Sequence, residues 1–257
     1  MPGTEELYKS AMSAERLAEL IRESQPCVVL TGAGVSTESG VPDFRSPSGI
    51  WARYDPREYA TVDAFRRDPV KVWDFYARRF EMLKHAQPNA AHRALADLER
   101  AGYVEAVVTQ NIDRLHELAG SREVIEVHGS IRTASCLACG ERASFDDVVA
   151  MLEHAPAPAC PRCGSILKPD VVMFGEYLPP GAMERASELA RRARLLLVVG
   201  SSLNVYPVAD LPQETLSAGG TFAIVNREPT PLDDLSALTI AAPAGETLAA
   251  VCRHLEL

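Results

Sequence analysis

No apolar run in the sequence reaches the roughly 18 residues of a membrane-spanning helix, so a helical span of that kind is excluded. No run of basic residues exceeds a pair, and 26 lysines and arginines are set against 35 acids for a net charge of −9. Nucleic-acid backbones are held by basic faces, so direct binding to nucleic acid is not expected. The segment MPGTEELYKSAMSAERLAELIRES lacks the apolar centre of a secretory signal, which leaves a soluble cytoplasmic chain as the expectation. Internal repeats and low-complexity tracts are also missing.

Hydrophobic residues make up 47% of the 257, enough for one large domain with a small appendage. In residues 14–23, Leu17, Leu20 and Ile21 share one helical face, with Ser13 as the expected N-cap. PCVVLTG then reads as a buried strand that stops at glycine. Further on, YVEAVVTQ, REVIEVHG, ARLLLVVGSS and TFAIVN read as strands. NAAHRALADLERAG, IDRLHELAG, ADLPQETLSAGG and GETLAAVCRHLEL read as helices, the first two closed by Gly102 and Gly120. Strands alternating with helices at this pitch indicate a parallel α/β sheet.

Two stretches break the alternation. Residues 47–87 mix Trp51, Tyr54, Trp73, Phe75, Tyr76 and Phe80 with arginines in a helical period that restarts after Pro69, and read as a helical insertion. Residues 132–169 carry Cys136-x2-Cys139 and, after 20 further residues, Cys160-x2-Cys163. Four thiolates close a tetrahedral zinc site with no open position, which is structural rather than catalytic; a redox pair is the other reading. Cys27 and Cys252 read as small buried hydrophobes.

The segment VVLTGAGVSTESGVPDFR puts a glycine loop after a strand and ahead of an expected helix, a place that suits a pyrophosphate. The dinucleotide fingerprint is only partly met: its third glycine would fall at Thr37, and the next glycine is Gly40. An ordinary strand-to-helix turn is the alternative. VVGSSLNVYP repeats the device with Gly200, Ser201 and Ser202, and IVNRE ends a strand at Asn226. Four polar strand ends (Gly32 to Ser36, Gln110 to Asp113, Gly200 to Ser202, and Asn226) therefore converge on one crevice beyond a parallel sheet. Within it Asn111 and Asp113 are ligand contacts or helix caps, and His128, followed by Gly129, is a general base or a structural histidine.

Taken together, GAGVSTESGVPDFR, TQNID, HG, the two CxxC pairs, VVMFGE, GSSLNVYP and VN stand in the order found in sirtuins, the NAD-dependent protein lysine deacylases. The resemblance runs from about residue 14 to the C-terminus. It implies an α/β fold: a Rossmann-like parallel sheet domain (1–46, 88–131 and 170–257) with a smaller inserted domain made of the helical module (47–87) and a zinc ribbon (132–169). It also implies NAD as co-substrate, one structural zinc ion and acyl-lysine proteins as partners; the sequence leaves the oligomeric state open, a monomer included. The acyl oxygen would attack C1′ of the nicotinamide ribose, expelling nicotinamide and leaving an alkylimidate. His128 would then take a ribose proton so that the 2′-hydroxyl attacks the imidate carbon, and water would release lysine and 2′-O-acyl-ADP-ribose.

Residue by residue, the resemblance makes His128 and Asn111 catalytic. It assigns NAD to Gly32, Ala33, Gly34, Thr37, Asp43, Phe44, Arg45, Trp51, Gln110, Asn111, Ile112, Asp113, Gly200, Ser201, Ser202, Asn226, Glu228 and Ala244, with Phe44 shielding the reactive ribose from water. Residues 172–175 and 203–206, including Val172, Phe174, Gly175 and Val205, would clamp the substrate peptide as an added strand. Tyr76 and Arg79, three apart and so on one helical face, resemble the pair with which bacterial and archaeal desuccinylases and demalonylases hold an acyl carboxylate, and Ala60 fits the small residue that leaves room for a longer acyl chain. A solvated arginine cluster is the alternative, since Arg78 adjoins Arg79. Readings from other classes are a dehydrogenase, a mono-ADP-ribosyltransferase and a zinc-ribbon scaffold without catalysis.

Overall fold

The computed structural model describes residues 4–257, with side chains from Met12 onward. Among the described residues nine strands build two sheets: β1 (Cys27–Thr31), β2 (Val104–Thr109), β3 (Val124–Glu126), β4 (Gly129–Cys136), β5 (Arg142–Ser144), β6 (Leu167–Val171), β7 (Leu195–Val199), β8 (Thr221–Val225) and β9 (Leu238–Ile240). The larger sheet runs β3-β2-β1-β7-β8-β9 with every pairing parallel. The strand order reverses between β1 and β7, and the crevice for a ligand opens beyond the carboxyl ends of strands at such a switch point.

The central strands CVVLT and LLLVV are buried at every position because both faces of the sheet are covered. Their alternate residues divide between two cores. Cys27, Val29, Leu195 and Leu197 pack on helices α1 (Thr4–Glu23), α5 (Ala90–Arg100) and α10 (Ala244–His254). Val28, Leu30, Leu196 and Val198 pack on α8 (Ala182–Arg192) and α9 (Leu211–Ser217).

The smaller unit sets the antiparallel sheet β5-β4-β6 against α2 (Pro56–Tyr59), α3 (Val62–Arg67), α4 (Pro69–His85) and α7 (Phe145–Leu152), while α6 (Leu115–Ala119) follows β2. Asp68 starts α4 by accepting from Lys71 N–H, with proline in the first turn where no amide is needed. Trp73 and Phe80 of α4 are fully buried, the indole donates to Leu167 O at 2.7 Å, and Phe80 stacks on Phe145 of α7. Trp73→Ala would cost about 3–5 kcal/mol by leaving a cavity under the helix.

Several expectations change. The first helix starts at Thr4, so Ser13 lies inside it and is no N-cap. β1 is followed not by a helix but by a seven-residue 3-10 turn, Ala33–Ser39, so no long helix dipole points at the glycine loop. The helices α7 and α8 and the edge strand β9 were not expected. The boundaries 131/132 and 169/170 fall inside β4 and β6, and residues 1–3 of the first expected domain segment lie outside the described residues.

Candidate functional site

The crevice holds a cavity of about 540 Å³ between the two units. Its sheet wall carries Gly32, Ala33, Gly34, Gln110, Asn111, Ile112, Asp113, His128, Gly200, Ser201, Ser202, Asn226 and Glu228. Its other wall carries Asp43, Phe44, Arg45, Trp51, Ala60, Tyr76, Arg79, Val172, Phe174 and Gly175, and Val205, from the segment after β7, lines it too. A second chamber of about 610 Å³ shares Gly34, Asp43, Gly200, Asn226 and Glu228, and adds Thr37 and Ala244. Every residue expected to contact NAD lines one of the two chambers, and of the segments expected to clamp the peptide all but Leu203, which is buried in the core, line the first.

The glycines matter where the two strand-end loops cross. A Cβ on Gly34 would lie 2.8 Å from Gly200 Cα, and one on Gly200, whose φ is +61°, would lie 2.2 Å from Val35 N. Gly34 N–H donates to Gly200 O at 2.8 Å, so the loops are tied to each other before any ligand arrives. At the next bend Leu203 holds φ 53°, a conformation unfavourable for a branched side chain, at the head of the 203–206 segment.

Beneath the loops lies a buried polar network that the sequence reading did not identify. Ser36 Oγ donates to Asp113 Oδ2 (2.7 Å) and accepts from Asn111 Nδ2 (3.1 Å), with His92 Nε2 at 3.4 Å. Asn89 caps α5, its backbone N–H meets His92 Nδ1 at 3.3 Å, and its amide reaches Val35 O and Ser39. On the other side His116 Nε2 meets Thr31 Oγ1 (2.9 Å), which donates to Thr109 Oγ1 (2.8 Å), which accepts from Asn111 N–H (3.0 Å). The rings of His92 and His116 meet edge to face at 4.8 Å. Burial pushes His92 down to about 4 and His116 down to about 3, so both are neutral near pH 7. Burial also raises Asp113, opposed by bonds from Leu115 N–H and Ser36.

His128 meets Gln110 O through Nδ1 at 3.2 Å, and a carbonyl only accepts, so Nδ1 carries the proton. Burial lowers its affinity for a second proton, leaving Nε2 with a lone pair. Gln110 in turn donates to Ser201 Oγ at 2.9 Å, joining the base to the second glycine loop. Asp43 Oδ1 accepts from Arg45 N–H and Ser46 N–H, so it shapes the loop that carries Phe44 and Arg45.

On the opposite wall Arg79 is 7% exposed, its guanidinium centred 4.8 Å over Phe44 and 5.8 Å over Phe75. Its Nη1 has no hydrogen-bond partner, and no carboxylate lies within ion-pair distance among the described residues; Asp113 attracts it only at longer range. Arg78 instead faces solvent and pairs with Asp74 at 3.5 Å, so the adjacent arginines point different ways. Burial pushes the Tyr76 phenol up to about 12, which keeps it a donor. Phe174 is bridged to the segment after α2: its N–H donates to Ala60 O and its carbonyl accepts from Val62 N–H.

Away from the crevice Cys136, Cys139, Cys160 and Cys163 bring their sulfurs within 4.8 Å of one another. The Cys136–Cys163 and Cys139–Cys160 separations of 3.5 and 3.6 Å approach the edge of about 3.8 Å in a tetrahedron of Zn–S bonds near 2.3 Å. Matching turns, Gly140 N–H to Cys136 O and Gly164 N–H to Cys160 O, present the two pairs. Four thiolates in this arrangement fit one structural zinc ion.

The signal for His92 was a polar residue on the otherwise apolar buried face Ala91, Ala94, Leu95 and Leu98 of α5; that for His116 was its place one residue into a helix whose start is buried.

Residues 32–207 match the Sir2 family. The NAD-dependent protein deacylase 1 of Archaeoglobus fulgidus is 46% identical over 240 residues, covering 93% of this chain and 97% of that protein. The NAD-dependent protein deacylase 2 of Pyrobaculum aerophilum is 48% identical over 232 residues, covering 90% and 92%. A solved Sir2 structure with a deacetylated p53 peptide and 3′-O-acetyl-ADP-ribose superposes with a TM-score of 0.90 at 43% identity, covering 94% of this chain and 98% of that one. Sir2Tm bound to a propionylated peptide superposes with a TM-score of 0.87 at 40% identity, covering 95% and 99%.

Proposed function

The chain belongs to the Sir2 family and is an NAD-dependent protein deacylase with a structural zinc site, and from that premise we propose that it removes succinyl and malonyl groups, as well as acetyl, from lysine side chains. The observation that carries the acidic acyl groups is Arg79, a buried guanidinium in the cavity wall with Nη1 unpartnered. A buried charge left without a partner is costly, and a substrate carboxylate held by Arg79 and the Tyr76 hydroxyl would complete it. Ala60, also in the wall, leaves space for the longer chain.

NAD supplies an electrophilic ribose carbon and the acceptor of the acyl group, which leaves as 2′-O-acyl-ADP-ribose; the remaining work falls to this chain. Asn111 and Asp113, fixed through Ser36, orient the nicotinamide ribose, and Gln110 stands beside them. His128, neutral and with Nε2 unprotonated, takes the ribose proton. Phe44 sits against Arg79 at the mouth of that site and excludes water from it. The glycine loops with Arg45, Trp51, Ile112 and Asn226 hold the rest of NAD, and Thr37, Glu228 and Ala244 line its far chamber. The segments 172–175 and 203–206 receive the peptide. The division into a sheet domain and the inserted modules 47–87 and 132–169 belongs to the same proposal.

The test is nicotinamide release with acetyl-, malonyl- and succinyl-lysine peptides. Tyr76→Phe with Arg79→Met should lower kcat/KM for the succinyl peptide on the order of 100-fold, the cost of an unpaired buried carboxylate, and lower deacetylation far less. Equal losses on both substrates refute the acyl assignment. A dehydrogenase would instead make NADH, and a mono-ADP-ribosyltransferase would leave a modified protein; neither product is expected.

A further inference from the structure

Glu176 lines the same cavity as Tyr76 and Arg79, although an acid there should repel a substrate that ends in a carboxylate. Its charge and that of Arg79 act on the Tyr76 phenol in opposite senses, so all three share one electrostatic neighbourhood. Glu176 Oε2 lies 2.9 Å from Lys168 Nζ and accepts Met173 N–H at 2.8 Å. Lys168 belongs to β6, does not line the cavity, and has an 8% exposed side chain that also donates to Val171 O (2.9 Å) and Pro169 O (3.0 Å). A lysine is seldom buried this deeply without a charge to meet.

We propose that Lys168 is a specificity-determining residue that neutralises Glu176 from behind the cavity wall, and so lets the pocket admit an acyl group that ends in a carboxylate. The inference rests on the succinyl-lysine reading above. Without Lys168 the Glu176 charge would stand uncompensated in a poorly solvated cavity, where it would repel the acyl carboxylate and compete with it for Arg79.

The experiment measures the succinyl-to-acetyl ratio of kcat/KM, so that any common loss from displaced residues 172–175 cancels. Lys168→Met should lower the ratio on the order of tenfold. Lys168→Arg should hold it, and Lys168→Met with Glu176→Gln should restore it. Should Lys168→Met not fold, Glu176→Gln alone decides, because an unneutralised Lys168 should raise the ratio. A flat ratio in Lys168→Met, a double variant without recovery, or a ratio that Glu176→Gln leaves unmoved would overturn the role of Lys168. If the wild type still cleaves succinyl-lysine and Arg79→Met abolishes that, only this inference falls. If the wild type does not cleave succinyl-lysine, both readings fall.

Discussion

The two walls of the crevice differ in how far they are finished. On the sheet side Ser36, Asn111, Asp113, His92, His116, Thr31 and Thr109 are tied into one hydrogen-bonded network, in which His116 Nδ1 is the atom left without a partner. On the helical side Arg79 is buried against aromatic rings with a donor unspent, and Phe174 in the cavity lining is 47% exposed. Groups that do the same chemistry on every substrate can be fixed in advance, which lowers the cost of organising them in the reaction. Groups that distinguish substrates need a donor still free, so that the correct acyl group is the one that completes them.

The comparison breaks most completely if the helical wall does not depend on its metal. Both tryptophans, Trp51 and Trp73, lie in that unit, with Trp73 fully buried. Stripping zinc should abolish deacylation and shift tryptophan emission while far-ultraviolet dichroism keeps most of the sheet domain's signal. Unchanged emission after metal analysis shows the ion gone would mean that the wall stands by itself.

The next largest effect should come from the base. His128→Ala should lower nicotinamide-coupled deacylation on the order of 10³-fold for acetyl and succinyl peptides alike, within the range of general-base contributions. A change in the ratio between the two substrates would show that the walls are not separate in their roles.

The smallest effect concerns pH. His92, whose ordinary value of 6.5 falls to about 4 on burial, binds a proton more readily unfolded than folded. Stability from this group is therefore constant above about pH 6.5 and is lost as pH falls toward 4, by on the order of 3 kcal/mol. His116 adds to the same acid slope. Denaturant midpoints measured between pH 7 and 4 should show it, and His92→Gln should flatten it; an unchanged slope would place the acid sensitivity elsewhere.

Much of this could be read from the chain, and what escaped has physical reasons. Strands β1 and β7 were visible because complete burial forces continuous apolar runs that glycines then end. The cysteine pairs were visible because a tetrahedral ion imposes their spacing. Strand β9 was missed because it is a three-residue edge strand with Thr239 exposed. Helix α8 was missed because only Ala186, Leu189 and Ala190 are buried, a stripe too narrow to stand out among charges. The helix expected after the glycine loop was wrong because a glycine pattern reports close backbone approach, and here the approaching backbone is the second loop. The pairing of the histidines with Ser36, Thr31 and Thr109 was not readable, because these partners are scattered in sequence and meet only when β1, β2 and α5 pack.

The crossing of Gly34 and Gly200 also matters for protein engineering. Since each backbone occupies the space where the other's side chain would grow, the transplantable unit is the pair of loops from β1 and β7 together. A graft of the first loop alone into another parallel sheet should carry its sequence across without its shape.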